Sequence, residues 1–338
     1  MQTHIPQVVQ LTLRAADLLG YQHRIIDPDY CYLFEVSNGR ESRCFVGGVS
    51  PLNDALAFRL AQDKYYTSVV LAHYGFRVPE CVRCLRANHF TVNDFSDREG
   101  MLPGIEFARS NGYPLIVKPN RMALGRDVVA VNNEYELVAA IETVWKGDYI
   151  ALVQRLITGW DVRFDLLNGS MIAGYRRSPI TIVGDGLNTI RSLLAEVDRR
   201  FADDAFFRHR AAEATWQSNV TSHGWDEKTV LSRGESVSFE SAVLNLNRWA
   251  TAELIRELPS KWLDFCLSAA DVMKLHHFGL DLRIPIEHGS WMDESPHSSV
   301  IIEINASPSL AQFHDLGYPD EALEAQAAVL RAAFATNT

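Results

Sequence analysis

Apolar and polar positions divide the chain into short helical and strand-like segments, with no repeat of fixed period and no low-complexity tract. Apolar residues recur with helical spacing over 8–19, where Gly20 supplies a stop, and β-like runs follow at 21–26 and 43–46. Asp63 is placed to cap a helix over 64–74 that Gly75 ends. Strands are expected at 115–118 and 128–132. A helix over 134–145 then sets Leu137, Val138, Ile141, Val144 and Trp145 on one face. Segments 151–156, 161–167 and 171–177 read as strands. The last two are joined by Asn168-Gly169, whose residues tolerate the positive φ angles of a two-residue hairpin turn. The polar stretch 199–240 has little periodicity and reads as an insertion, part helix and part loop. A helix over 261–276 leads to two final strands, 280–286 and 300–305. The mixture sets the class as α/β, of the α+β kind, with expected lobes at 1–60, 61–147 and 148–338.

The final strand pair alternates strictly. Leu280, Leu282, Ile284 and Ile286 interleave with Asp281 and Arg283, and Val300, Ile302 and Ile304 interleave with Ile301, Glu303 and Asn305. An antiparallel register that sets Asp281 opposite Asn305 also sets Glu303 opposite Arg283, so that three oxygen donors converge. Hard donors in this number suit Mg²⁺, which takes one or two carboxylates and completes its shell with water and phosphate. A half-exposed hairpin shows the same alternation to water, and spacing alone leaves both readings open.

Composition narrows the partners. In 338 residues, 32 Lys and Arg meet 42 Asp and Glu, and the net charge of -10 argues against nucleic acid and anionic membrane surfaces. No apolar stretch approaches the roughly 18–20 residues that span a bilayer, and the first ten residues lack a basic segment followed by an apolar one, so a cytoplasmic location is expected. Cys31, Cys44, Cys81, Cys84 and Cys266 are odd in number and scattered, which suits reduced thiols. The Cys81/Cys84 spacing lacks the second ligand pair of a structural zinc site. His276, His277, His288 and His297 read as packed or surface histidines, since the adjacent pair points in different directions on a helix.

A nucleotide site needs cations, yet neither GxxxxGK[ST] nor GxGxxG is present. Lys118, at the end of the apolar run Pro114-Leu115-Ile116-Val117-Lys118-Pro119, is either a surface lysine or a point charge for phosphate. Four groups of residues settle the order. They are Asp63-Lys64-Tyr65-Tyr66-Thr67, the Lys118 strand, Leu152-Val153-Gln154-Arg155 with Gly159-Trp160-Asp161-Val162-Arg163, and Asp281 with Glu303-Ile304-Asn305-Ala306-Ser307-Pro308. They stand as in ATP-grasp carboxylate–amine ligases. Over roughly residues 60–335 the chain most resembles the ATP-grasp part of cyanophycin synthetases and bifunctional glutathione synthetases, with a more distant likeness to D-alanine–D-alanine ligases. Arg176-Arg177-Ser178-Pro179, followed by Val183-Gly184-Asp185-Gly186 and Thr189-Ile190, is particularly like the cyanophycin synthetases.

The resemblance implies an ATP-grasp fold, with nucleotide held between the 61–147 and 148–338 lobes behind a small N-terminal lobe. It implies that Lys64 and Lys118 contact the phosphates, that Gln154, Arg155 and Leu156 line adenine, and that Asp161 binds the ribose hydroxyls. Asp281, Glu303 and Asn305 would hold Mg²⁺, and Arg163, Arg176, Arg177 and Arg283 would contact phosphate or the acyl substrate. Three departures stand out. Gln154 replaces the carboxylate of many relatives, the 120–126 loop holds one glycine so that Arg121 or Arg126 must supply charge, and Gly279 stands where D-alanine–D-alanine ligases carry an arginine.

The implied activity is ATP-dependent amide or peptide bond formation from a small carboxylate and an amine, such as amino acids or a short peptide, by a free-standing ligase. A homodimer is the default assembly. The 199–249 segment, with Asn245, Asn247 and Arg248, and the N-terminal lobe are expected to choose the substrates. Two alternatives are transfer of the acyl phosphate to a hydroxyl or thiol, and nucleotide binding without turnover. Gly184-Asp185-Gly186 reads either as a segment that closes over the site or as a simple tight turn.

Overall fold

The structure, a computed structural model, describes residues 5–87, 99–123, 125–241, 243–246, 248–285, 289–315 and 317–335. Helix α1 (Gln7–Leu18) precedes the antiparallel strands β1 (Gln22–Ile25), β2 (Leu33–Ser37) and β3 (Ser42–Val46). Helices α2 (Ala55–Gln62) and α3 (Lys64–His73) each start at an aspartate, because Asp54 accepts from Ala57 N and Asp63 from Tyr66 N, satisfying amides that the first helical turn leaves without partners. Next come β4 (Cys81–Leu85), α4 (Leu102–Asn111), β5 (Leu115–Pro119), β6 (Val129–Val131), α5 (Glu134–Val144) and β7 (Ile150–Arg155). At the start of α5, Asn133 accepts from Glu136 N while Glu136 reaches back to Asn132 N, a reciprocal cap whose bonds hold the Glu136 carboxyl below its ordinary pKa.

Strands β8 (Trp160–Leu167) and β9 (Ser170–Pro179) form the expected hairpin, with φ of +47° at Asn168 and +90° at Gly169. Then follow β10 (Thr181–Val183), α6 (Ile190–Val197), α7 (Asp204–Ala211), α8 (Ala214–Asn219), β11 (Ser236–Ser238) and β12 (Ala250–Leu254). Helix α9 (Ser260–Met273), the antiparallel pair β13 (His277–Ile284) and β14 (Val300–Asn305), and helices α10 (Ala311–Asp315) and α11 (Pro319–Ala333) complete the order.

These elements form two compact units, neither continuous in sequence: Met1–Arg83 with Ile157–Tyr175 and Leu254–Thr338, and Cys84–Leu156 with Arg176–Glu253. In the first unit, β8, β13 and β14 bury one face, Val162, Phe164, Leu280, Leu282, Ile301 and Ile304, against Trp262, Phe265 and Ala269 of α9 and Leu71 of α3. A second core closes the β1–β3 sheet over α1 and α11 through Phe34, Phe45, Leu13 and Leu330.

In the second unit, β5 pairs antiparallel with both β6 and β7, with α4 and α5 packed nearby. The segment with little periodicity builds its own core from Ile182, Leu194, Phe201, Trp216, Phe239 and Trp249. The Phe239 and Trp249 rings stack there at 4.6 Å and 8°. Among the described residues, no helix is long and apolar enough to cross a membrane.

One boundary differs from the expected pattern. The helix expected over 261–276 stops at Met273 because Lys274 takes a left-handed φ of +56°, and the strand begins at His277 rather than 280. Asn53 fixes that start. Its side-chain oxygen accepts from His276 N (2.8 Å) and His277 N (3.1 Å), and its Nδ2 donates to His277 O (2.6 Å) and Ala306 O (2.7 Å). Ile286 and His288 lie outside the described residues, as do Leu124 and Asn247.

Candidate active site

Period two builds the polar face of the first unit. With Val162, Phe164, Leu280 and Leu282 turned into the core, the alternate positions Asp161, Arg163 and Asp165 of β8 and Gly279, Asp281 and Arg283 of β13 share the other face, beside Glu303 and Asn305 of β14. The register lines them up in rows, Arg163–Asp281–Glu303 and Asp165–Gly279–Asn305.

This corrects the expected pairing. Asp281 lies opposite Glu303 rather than Asn305, and Arg283 lies opposite Val300 while its Nη2 pairs with Asp161 Oδ2 at 2.8 Å. The cause is a bulge. The partners Asp281/Glu303 and Leu282/Ile301 leave Ile302 without an opposite residue, so Ile301 joins Ile304 in the core. Asn305 still reaches the acidic pair, its Nδ2 donating to Asp281 Oδ2 at 3.1 Å, and Lys64, the first residue of α3, sits 3.3 Å from Glu303 Oε1.

Arg163 is the centre of the lattice. Its Nε donates to Asp165 Oδ1 at 2.8 Å and its Nη1 to Asp281 Oδ2 at 2.7 Å. Burial pushes the guanidinium pKa down, and the two carboxylates more than reverse this, so the group stays charged. A Cβ added at Gly279 would lie 2.3 Å from both Arg163 Nη2 and Asp165 Oδ1, so the missing side chain is what lets the guanidinium lie across β13.

The motifs pass over Asp165. The signal for it was parity, since it follows Arg163 by two on the same strand. Near the row's end His277 is buried, with Nδ1 2.9 Å from Ser50 Oγ. Burial first, and the charge of Arg163 second, lower its pKa to about 4.

The second unit holds the other candidates. Ile116 pairs with Gln154 and Lys118 with Leu152, so Lys118 and Gln154 lie on one face of the β5–β7 pair, and both side chains are buried. Lys118 is thus no solvated surface lysine. Arg155 is exposed at the end of β7 and Leu156 follows it.

In the loop after β5, Arg121 N donates to Asp148 Oδ2 at 2.8 Å, and a Cβ added at Gly125, whose φ is +66°, would lie 2.1 Å from Asn245 Nδ2. Arg176 and Arg177 are on β9, in a different sheet from Lys118 and Gln154, and Arg176 Nη2 pairs with Glu253 at 2.7 Å. The Gly184–Gly186 turn is tied back by Gly184 N to Glu235 O (2.7 Å) and Gly234 N to Gly184 O (2.8 Å).

No family model matches the chain. Over 307 residues, 89% of this chain, it is 20% identical to a glutathione biosynthesis bifunctional protein of Desulfotalea psychrophila. Over 261 residues, 75% of this chain, it is 26% identical to a cyanophycin synthetase of Geminocystis herdmanii. The matches cover 38% and 28% of those proteins, so the chain spans about a third of the length of the curated relatives it matches. The crystal structure of a bifunctional glutathione synthetase from Pasteurella multocida aligns with a TM-score of 0.61 and 17% identity, over 96% of this chain and 44% of that one.

The chain has the ATP-grasp fold.

ATP is the nucleotide of ATP-grasp ligases. The donor chemistry here fits a metal–nucleotide complex better than a metal bound by protein alone. Asp281 and Glu303 face each other with one amide beside them, and among the described residues no group of three His, Cys, Asp or Glu is placed to hold a metal. Two carboxylates and an amide suit Mg²⁺, which fills the rest of its shell with water and phosphate oxygens.

Proposed function

We propose that this ATP-grasp chain is an ATP-dependent carboxylate–amine ligase acting on small substrates such as amino acids or a short peptide. The observation that carries the reading is the Arg163–Asp281–Glu303 row with Asn305 and Lys64 against it. Substrate carboxylate attacks the γ-phosphate, giving ADP and an acyl phosphate; the amine then displaces phosphate and forms the amide. Mg²⁺ held by Asp281, Glu303 and Asn305 would neutralise phosphate charge. Lys64 and Lys118 contact the phosphates, Gln154, Arg155 and Leu156 line adenine, and Asp161 serves the ribose.

Arg163, Arg176, Arg177 and Arg283 serve phosphate or the acyl substrate, so catalysis is positioning plus electrostatics. The three-lobe division, a cytoplasmic location, the absence of nucleic-acid or membrane partners and a homodimer belong to the same proposal.

The test is ADP release over a panel of amino acids, singly and in pairs, with hydroxylamine to trap acyl phosphate. The proposal expects hydroxamate with one carboxylate and an amine-dependent product. ADP release without such a product makes the acceptor a hydroxyl or thiol, and no ADP release with any carboxylate leaves a nucleotide binder.

A further inference from the structure

Arg283 turns its guanidinium on the start of β8. It stands directly opposite Asp161 in the β8–β13 register, and its Nη2 pairs with Asp161 Oδ2 at 2.8 Å, the two side chains being 14% and 5% exposed. Its Nη1 donates to Gly159 O at 3.4 Å. Across β14 its neighbour is Val300, which brings no charge.

The turn into β8 is seated closely. Gly159 has a φ of +131°, and a Cβ added there would lie 2.5 Å from Ile284 O and 3.1 Å from Pro285 N. The chain that leads into Asp161 therefore lies against the residues that follow Arg283. Arg283 ties down a backbone carbonyl and a side-chain carboxylate on either side of Trp160, the first residue of β8.

Charge gives the pair a use. Asp161 and Asp281 belong to neighbouring rows of one sheet face, two residues apart along the strands, or roughly 7 Å at a rise of ~3.4 Å per residue. Asp281 shares Arg163 with Asp165 and faces a second carboxylate, Glu303, which suits a cation. Asp161 instead faces a guanidinium. A carboxylate neutralised in this way offers little to a metal ion but keeps lone pairs for neutral O–H donors, and the guanidinium fixes the plane in which those lone pairs lie.

We infer that Arg283 is a positioning residue for the nucleotide: it holds the Asp161 carboxylate for the ribose hydroxyls, keeps it from the metal, and does not itself touch phosphate or acyl substrate. This rests on the ligase reading and narrows the part which that reading gives Arg283.

Calorimetric titration of the full chain with ADP, 2′-deoxyADP and 3′-deoxyADP, in the presence of Mg²⁺, reads the ribose contact without any acyl or amine substrate. ADP should bind about tenfold more tightly than at least one deoxy analogue. Arg283→Gln should weaken ADP by about that factor and leave that analogue unchanged, which erases the preference, and Arg283→Lys should restore part of it. The double variant Arg283→Gln/Asp161→Asn sets an amide against an amide and leaves no buried charge without a partner, so it serves if the single variant melts early. It should bind ADP no more weakly than Asp161→Asn alone, because a residue that acts through another adds nothing once that one is gone.

Equal losses for ADP and both analogues after Arg283→Gln would point to a phosphate contact or a packing defect. No preference in the parent, a preference that survives Arg283→Gln, or independent losses in the double variant would cut the tie between Arg283 and the ribose. Each of these overturns the inference and leaves the ligase reading standing, whereas a parent that binds no ADP at any Mg²⁺ concentration sinks both.

Discussion

The two charged clusters of this chain are unbalanced in opposite directions. On the face of β8, β13 and β14, the carboxylates Asp161, Asp165, Asp281 and Glu303 meet the cations Lys64, Arg163 and Arg283. Around Trp249, the guanidiniums of Arg200, Arg210 and Arg248 meet the carboxylates Asp198 and Glu213. The sheet face has a surplus of negative charge and suits a cation, whereas the arginine cluster has a surplus of positive charge and suits an anion. They also differ in rigidity of origin. The first is set by strand register, which fixes neighbours within a few ångströms, and the second by a helix, a 3-10 turn and a loop. Under the proposed function a charge removed from the first should therefore disable chemistry, while one removed from the second should leave it largely intact.

The largest expected effect comes from the acidic pair. Glu303→Gln and Asp281→Asn keep shape and remove one negative charge each from the Arg163–Asp281–Glu303 row, so under the proposed function ADP release should fall on the order of 100-fold, with more Mg²⁺ needed for half-maximal rate. Melting curves of both variants should stay near the parent, since each removed carboxylate leaves its cation, Lys64 or Arg163, with some access to water or to a second acid. Unchanged turnover at limiting Mg²⁺ would remove the metal role from the pair.

How far the sequence could be read follows the same contrast. Alternation over 280–284 and 303–305 disclosed the polar face, and the hairpin dipeptide Asn168-Gly169 gave the β8–β9 turn outright. Register within the face was beyond it, because the bulge at Ile302 comes from three-dimensional pairing and leaves no mark on a run of three apolar residues. Burial of Lys118 was equally hidden, since a lysine ending a strand looks the same whether the face is covered or open. The arginine cluster was unreadable for another reason. Its members at 198, 200, 210, 213 and 248 follow no period, and the aromatic core beneath them, Trp216, Phe239 and Trp249, is drawn from separated positions on a helix, a strand end and a loop.

A smaller effect tests whether the lattice acts through Arg163. Asp165→Asn leaves the Nε partner in place as a neutral group, so the guanidinium keeps its place but is less firmly aimed. ADP release should drop about tenfold, as for an outer partner of a functional side chain, with little change in the KM for ATP. Gly279→Ala disturbs the same guanidinium by contact, since its Cβ would meet both Arg163 and Asp165. If both changes work through Arg163, the double variant loses less than the product of the two single losses. Multiplicative losses would instead make them independent defects of packing.

The smallest expected effect comes from the buried His277 beside the row. Burial, and then the charge of Arg163, hold His277 at a pKa of about 4 against an ordinary 6.5. The unfolded chain therefore takes up a proton between pH 6.5 and about 4 that the folded chain refuses, and stability contributed by the neutral imidazole is present above pH 6.5 and lost as the pH falls toward 4. In His277→Gln, which retains an amide for Ser50, melting temperature should decline less steeply over that interval than in the parent, although many carboxylates lower both curves. Parallel curves would mean that His277 takes its proton at an ordinary pH, through local opening of the β13 start.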